Sequence, residues 1–454
     1  MGTYDFLIFL IVCLVSVIIL FVLNLSCKTW QEKICSIALI LGITFYSGLG
    51  IAYETVDKNY VICFIIFLIS TAIGLKIGFG VFPYKKENKY VERIDYLLER
   101  HSKILNLVFC IYWVLTIAML FYPENRFLNL FNFEANIKTV FIVRENNRND
   151  TLVYTINLIR MILIPFYYVW LQRRNSTIKV VILVLLQVYI DSVVDGYIGR
   201  SAALKTMLLV FFISAIMSRQ KHKNDDFSQK NYEIKRMNLK LYKKIKKRLV
   251  MFAIVVLACI PVLYSYVYIR QGITVQNLSY MSAFCSLLES ETSYPKWYDT
   301  TIQLNGLVIS PLQYLYWLIT LPIPKQFITF LPDTTILNYV FSEYATGILY
   351  GSANFTVALP SLLGEGFLIY GKYFYWIHGL VSGSVLGLCI SFLQRFRTLN
   401  LYTSYVLTMV FVVARGGSQG TISSIINSGY ILIIIYILAC IAGRKQQKII
   451  NYKT

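Results

Sequence analysis

Apolar residues are gathered into blocks of about 17 to 25, long enough to cross a hydrocarbon layer of about 30 Å as helices. Runs of this kind fall at about residues 5–25, 34–53, 60–82, 104–122, 152–171, 179–198, 201–217, 249–268, 367–393, 401–415 and 423–443, which predicts eleven spans. A further apolar stretch at about 306–322 is broken by Pro311 and closed by Pro322 and Pro324. It reads as a span, a re-entrant hairpin or a surface helix.

Composition points the same way. Of 454 residues, 57% are hydrophobic and only 15% charged, with a mean hydropathy of +0.60; a soluble chain would carry roughly 25% charged residues. An ordinary soluble globular protein is excluded. The expected fold is all-α: a polytopic integral membrane protein with about 11 to 12 transmembrane helices and a long extracytoplasmic loop. The opening Met1-Gly2-Thr3-Tyr4-Asp5 has no basic stretch, and no small-residue cleavage site closes the run after it. The first helix is therefore expected to be retained and not removed as a signal peptide. Nine cysteines (13, 27, 35, 63, 110, 259, 285, 389, 440) are scattered without a CxxC pair or a nearby histidine, so neither a disulfide framework nor a metal site is expected.

The net charge of +20, from 43 Lys plus Arg against 23 Asp plus Glu, bears here on orientation and not on nucleic acid. Basic connections stay on the cytoplasmic side. The segment Arg219 to Arg248 holds twelve basic and three acidic residues, and the segments 84–103, 172–179, 394–397 and 444–453 agree. Counting spans from these places the amino terminus outside and the carboxyl terminus inside. It divides the single membrane domain into spans, a first outer loop at 123–151, a basic inner loop at 218–248 and a large outer loop at 269–365. An even number of crossings must lie within that last loop, so 306–322 does not cross alone. An amphipathic or re-entrant element is favoured there, with Trp297, Tyr314, Tyr316 and Trp317 at interface depth.

Ionisable groups near the apolar layer are costly, and those unable to snorkel are functional candidates. Four arginines fall on the outer side: Arg144, Arg200 after Asp191 and Asp195, Arg270 closing a tyrosine-rich run, and Arg415 in Ala414-Arg415-Gly416-Gly417. A guanidinium keeps its charge and presents a planar fork matched to phosphate oxygens, so a converging set suits a lipid-linked pyrophosphate. The plainer alternative for each is snorkelling or an ion pair. Leu359-Pro360-Ser361-Leu362-Leu363-Gly364-Glu365-Gly366 reads as a turn just outside a helix; Glu365 there caps the helix start or accepts a proton from a sugar hydroxyl. His378 reads first as a packing residue, and Asp191 and Asp195, one turn apart, as partners that orient Arg200 or as a structural salt bridge.

The outward Gly199-Arg200-Ser201-Ala202 turn, the loop opening at Tyr268-Ile269-Arg270-Gln271-Gly272, the Ser361 to Gly371 turn and the late Ala414-Arg415-Gly416-Gly417 resemble the layout of Wzy-type repeat-unit polymerases of O-antigen, capsule and related bacterial glycans. The similarity covers most of the chain. It implies an undecaprenyl-pyrophosphate-dependent glycosyltransferase in the bacterial plasma (inner) membrane, without cofactor or metal. A growing glycan on one lipid carrier passes to the terminal hydroxyl of a repeat unit on a second. The resemblance assigns Arg200, Arg270, Arg415 and Arg144 to pyrophosphate binding, with Glu365 and then Asp195 as the residue that orients or deprotonates the acceptor. Expected partners are lipid-linked oligosaccharides, the bilayer and a chain-length regulator, not nucleic acid. A ligase of similar layout and a flippase or transporter of lipid-linked glycan are the alternatives; the latter predicts charged residues lining a cavity at mid-membrane depth.

Overall fold

A computed structural model describes residues 5–82, 89–131, 150–174, 176–194, 205–214, 216–217, 279–320, 337–349, 355 and 357–451. Every regular element among them is helical: α1 (Phe6–Ser26), α2 (Trp30–Ile43), α3 (Tyr60–Val81), α4 (Lys89–Arg100), α5 (Ser102–Ala118), α6 (Thr151–Gln172), α7 (Thr177–Val194), α8 (Lys205–Ser214), α9 (Tyr280–Thr292), α10 (Tyr298–Gln303), α11 (Pro311–Thr320), α12 (Leu337–Thr346), α13 (Ser361–Leu393), α14 (Asn400–Gly416) and α15 (Ser418–Asn451), with short turns between. Seven helices are long and apolar enough to cross a membrane, or eight if the sharply bent pair α4 and α5 counts as one span. The chain is a membrane-embedded helical protein. The expected span 249–268 and the loop 218–248 lie outside the described residues.

Side-chain and backbone bonds tie the helices at two ends. At the first, Thr29 caps α2 with Glu32 closing the capping box, and Gln394 beyond α13 donates to Glu32 at 2.9 Å. Nearby, Asp95 of α4 accepts from the Arg397 N–H at 3.0 Å and the Thr398 hydroxyl at 2.6 Å, and Arg173 donates to the Glu99 carbonyl at 2.6 Å. At the second, the Asp5 N–H donates to the Ala52 carbonyl at 2.9 Å, and the Tyr60 hydroxyl donates to Asp299 at 2.5 Å. The Val153 N–H, the Tyr122 hydroxyl and the Leu152 N–H all donate to Asp150, the cap of α6, and hold its carboxyl below the usual carboxylate range. The basic stretches 89–103, 172–174 and 394–397 all sit at the first end. Lipid-facing apolar side chains such as Leu14, Val17 and Phe21 leave α1 peripheral.

The closest helix pair is α3 against α13, and its cause is local. Gly74 and Gly78 on α3 and Gly379, Gly383 and Gly387 on α13 recur at four-residue spacing, one small stripe on each helix. A Cβ on Gly74 would stand 2.3 Å from the Leu380 carbonyl oxygen, and one on Gly383 2.4 Å from that of Thr71. In a bilayer, where apolar side chains gain little by leaving lipid, such backbone approach is what van der Waals attraction needs.

At 33 residues α13 would be about 50 Å long if continuous, well beyond the hydrocarbon thickness. It is not continuous. Gly371 adopts φ 76° and ψ −178°, a conformation essentially reserved for glycine, and the segment before it folds back against the segment after it. Glu365 and His378 would be about 20 Å apart along one helix, yet they share a hydrogen bond of 3.0 Å. Asn305 donates to the Phe367 and Leu368 carbonyls at 3.2 and 2.9 Å, partners those groups lose where the first segment ends. The sequence-based expectation of an outer loop running through Glu365 is thereby corrected: helix begins at Ser361. Within 306–322 the described element is the ten-residue α11, too short to cross. Tyr314 (1% exposed) and Trp317 (8% exposed) are buried within the protein, in one cluster with Phe341, Leu368 and Ile369. Tyr316 is exposed and Trp297 half-buried against the same cluster.

Candidate functional site

Arg160 lies ten residues into α6, roughly 14 Å from its start, too deep for its side chain to reach either end easily. It is 5% exposed. Two elements hold its guanidinium: at the end of α5, Nε donates to the Thr116 hydroxyl at 3.0 Å and Nη1 points to the Met119 sulfur at 3.0 Å, and Nη2 pairs with Asp191 of α7. The Tyr112 ring faces it with its centroid 5.8 Å from Cζ. A buried charge held by a carboxylate and further acceptors is the arrangement that makes burial tolerable.

This pair borders a polar cavity of about 280 Å³ between α6, α7, α8, α14 and α15, to which Gln187, Lys205, Tyr405 and Thr408 also contribute. Gln187 is 2% exposed, and its Oε1 has no hydrogen-bond partner among the described residues. The cavity combines a cation-bearing wall, amide and hydroxyl groups and an aromatic ring, suited to a ligand with an anionic and a polyol part.

Arg415 closes α14, seven residues and so about two turns beyond Thr408. Its fork grips Glu291 of α9, Nε to Oε2 at 2.8 Å and Nη2 to Oε1 at 3.1 Å, and Nε also donates to the Tyr294 hydroxyl at 3.0 Å. The pair is partly open, with 18% and 13% side-chain exposure. Arg144, Arg200, Arg270 and Asp195 lie outside the described residues.

Glu365 is fully buried and its two oxygens are engaged. Oε2 accepts from the Ser418 N–H at 2.5 Å and meets His378 Nε2 at 3.0 Å; Oε1 accepts from the Ser418 hydroxyl at 3.0 Å. The Ser418 hydroxyl also contacts the Tyr314 hydroxyl. The carboxylate thus sits on the first N–H of α15, where the helix dipole favours negative charge. It is a cap, as one sequence reading allowed, but of a helix 53 residues further along the chain. Gly417, at φ 76° and ψ 179°, makes room: a Cβ there would stand 2.8 Å from Oε2.

Sequence reasoning had reached Asp191 but not its partner Arg160. The available signal was an arginine in Leu158-Ile159-Arg160-Met161-Ile162, far from either end of its span. No protein-family model, curated protein or solved structure matches this chain.

Proposed function

We propose that the chain is an integral-membrane glycosyltransferase that polymerises undecaprenyl-pyrophosphate-linked repeat units into a surface polysaccharide, acting in a bacterial plasma membrane. The observation that carries this reading is the buried Arg160 paired with the half-buried Asp191 on the wall of a sugar-sized cavity, with Arg415 on the same helix as Thr408 of that wall. In glycan transfer the anomeric carbon leaves the donor pyrophosphate, whose oxygens gain negative charge in the transition state. A guanidinium fixed in a water-poor site stabilises that charge more than the ground state, which accelerates the step. Arg160 takes this role, and Arg415 binds pyrophosphate by exchanging Glu291 for it; Arg200, Arg270 and Arg144 join them from the sequence pattern. Asp191, 34% exposed at its side chain, orients the acceptor hydroxyl and takes its proton as the oxygen bonds to the anomeric carbon and the pyrophosphate departs. Glu365, with no exposed surface, holds helices together and is not assigned to the acceptor.

One observation favours a second reading, a transporter of lipid-linked glycan: Arg160 and Asp191 line a cavity at membrane depth. Deleting the gene and running the surface glycan on a gel separates the two. A ladder reduced to carrier bearing a single repeat unit supports the polymerase. Absence of any surface repeat unit, with lipid-linked material accumulating inside, supports the transporter. At matched protein level, Arg160→Ala is expected to lower polymer formation about 100-fold or more, with Arg160→Lys restoring part. Polymer of normal length and amount from Arg160→Ala would remove the cavity from the reaction.

A further inference from the structure

A second concavity lies toward the basic end of the molecule, between α13, α14 and α15. It has a volume of about 330 Å³, and Phe82, Leu388, Phe392, Gly429, Ile433 and Tyr436 are among its walls. The Tyr402 hydroxyl is the polar group closest in kind to a ligand partner, and it is shared with the Ser428 hydroxyl at 2.7 Å. Water needs two or more polar partners to occupy such a space, and this lining is almost wholly apolar. Leu388, Ile433 and Ile437 are 37%, 41% and 50% exposed, so the open side faces the hydrocarbon layer. From Ile425 to Ile437 the wall runs about 18 Å along α15, the scale of an extended acyl chain and not of a side chain.

The end of this groove is charged. Phe82 forms part of the wall, and the guanidinium carbon of Arg395 lies 5.5 Å from its ring centroid, just past the last residue of α13. Lys28, Lys33, Lys103, Arg173, Arg174 and Arg397 fall at the same end of the bundle. Two acidic groups there are already engaged, Glu32 by the α2 cap and Gln394, and Asp95 by the Arg397 N–H and the Thr398 hydroxyl. An apolar channel in the hydrocarbon layer ending at an arginine complements one class of molecule, a lipid with an acyl chain and a negatively charged headgroup.

We propose that this groove is a binding site for one anionic phospholipid of the surrounding leaflet, its acyl chain along Ile425 to Ile437 and its phosphate at Arg395. The site is separate from the Arg160 cavity and does not depend on the transferase reading. Gly429 provides the test, because a Cβ built on it meets only the Tyr402 hydroxyl, at 3.8 Å. A larger side chain there enters the groove without displacing backbone, and it replaces a glycine within a helix.

Full-length protein, delipidated in detergent, is titrated with phosphatidylglycerol or phosphatidylcholine of identical chains and weighed intact by native mass spectrometry. The wild type is expected to retain one phosphatidylglycerol about fivefold more tightly than phosphatidylcholine, the effect of about one arginine near a membrane surface. Gly429→Leu loses that bound lipid while its thermal stability is kept, and Arg395→Gln binds the two lipids equally. Ile433→Trp, filling the groove from about one turn further along α15, stands in if Gly429→Leu does not fold. Equal retention of both lipids by the wild type, an unchanged phosphatidylglycerol count in the folded groove-filling variant, or a lipid-independent dimer that these substitutions disrupt would each overturn the proposal.

Discussion

Gly371 and Gly417 share nearly one backbone conformation, φ 76° with ψ −178° and 179°. That region is closed to a residue with a Cβ except at a cost of about 1–3 kcal/mol. At Gly417 conformation and space act together, since the Glu365 carboxylate occupies the position a Cβ would take. Gly416, one residue earlier, has nothing within 4 Å of its virtual Cβ. Gly417→Ala should therefore lower the temperature at which the purified protein loses its monodisperse form, whereas Gly416→Ala should leave it within error. Equal thermal behaviour of the two variants in a size-exclusion melt would show that the Gly417 conformation is not needed. Both glycines are visible in the sequence, but the demand for φ near +76° at one of two adjacent glycines arises from contacts 50 residues away.

Between elements, the buried network of Glu365, His378, Ser418 and Tyr314 joins the folded-back start of α13 to its own continuation, to the start of α15 and to α11. Removing the carboxylate leaves the Ser418 N–H, the Ser418 hydroxyl and His378 without their acceptor. At about 1–3 kcal/mol for each buried group left unsatisfied, Glu365→Ala should sharply reduce the yield of folded protein. Glu365→Gln keeps one acceptor oxygen and should fall between. Glycan formation normalised to folded protein is expected to be near that of the wild type in Glu365→Gln. If that variant accumulates and melts normally but makes no polymer, Glu365 acts in the chemistry and its burial is relieved during turnover. The α3–α13 contact carries the opposite lesson: its four-residue glycine spacing was present in the sequence, and it reports close packing once the two helices are known to be neighbours.

For the whole molecule, the two ends differ in charge, and the preference for basic segments on the cytoplasmic side predicts an orientation from this. Glu54 lies exposed at one end and Arg174 at the other. In intact cells expressing variants that lack the exposed Cys110, a membrane-impermeant maleimide should label Glu54→Cys and not Arg174→Cys until the cells are opened. Labelling of Arg174→Cys alone in intact cells would invert the orientation and place the Arg160 cavity relative to the opposite face.

The sequence by itself determined the class of molecule, the positions of most of the apolar helices and the clustering of basic residues in alternate connections. Those properties follow from run length and charge, which are local and survive without knowledge of neighbours. It also directed attention to Asp191, Glu365, His378 and Arg415, because polar groups in apolar surroundings are rare. Tertiary structure alone decided their partners. Asp191 meets Arg160 across 31 residues, Arg415 meets Glu291 across 124, and Glu365 meets Ser418 across 53. Each pairing depends on which helices become adjacent and where a chain bends, and helix adjacency in a bilayer is set by surface fit between segments that can be distant in sequence. Only the folded bundle distinguishes a carboxylate held as a helix cap from one bordering a cavity.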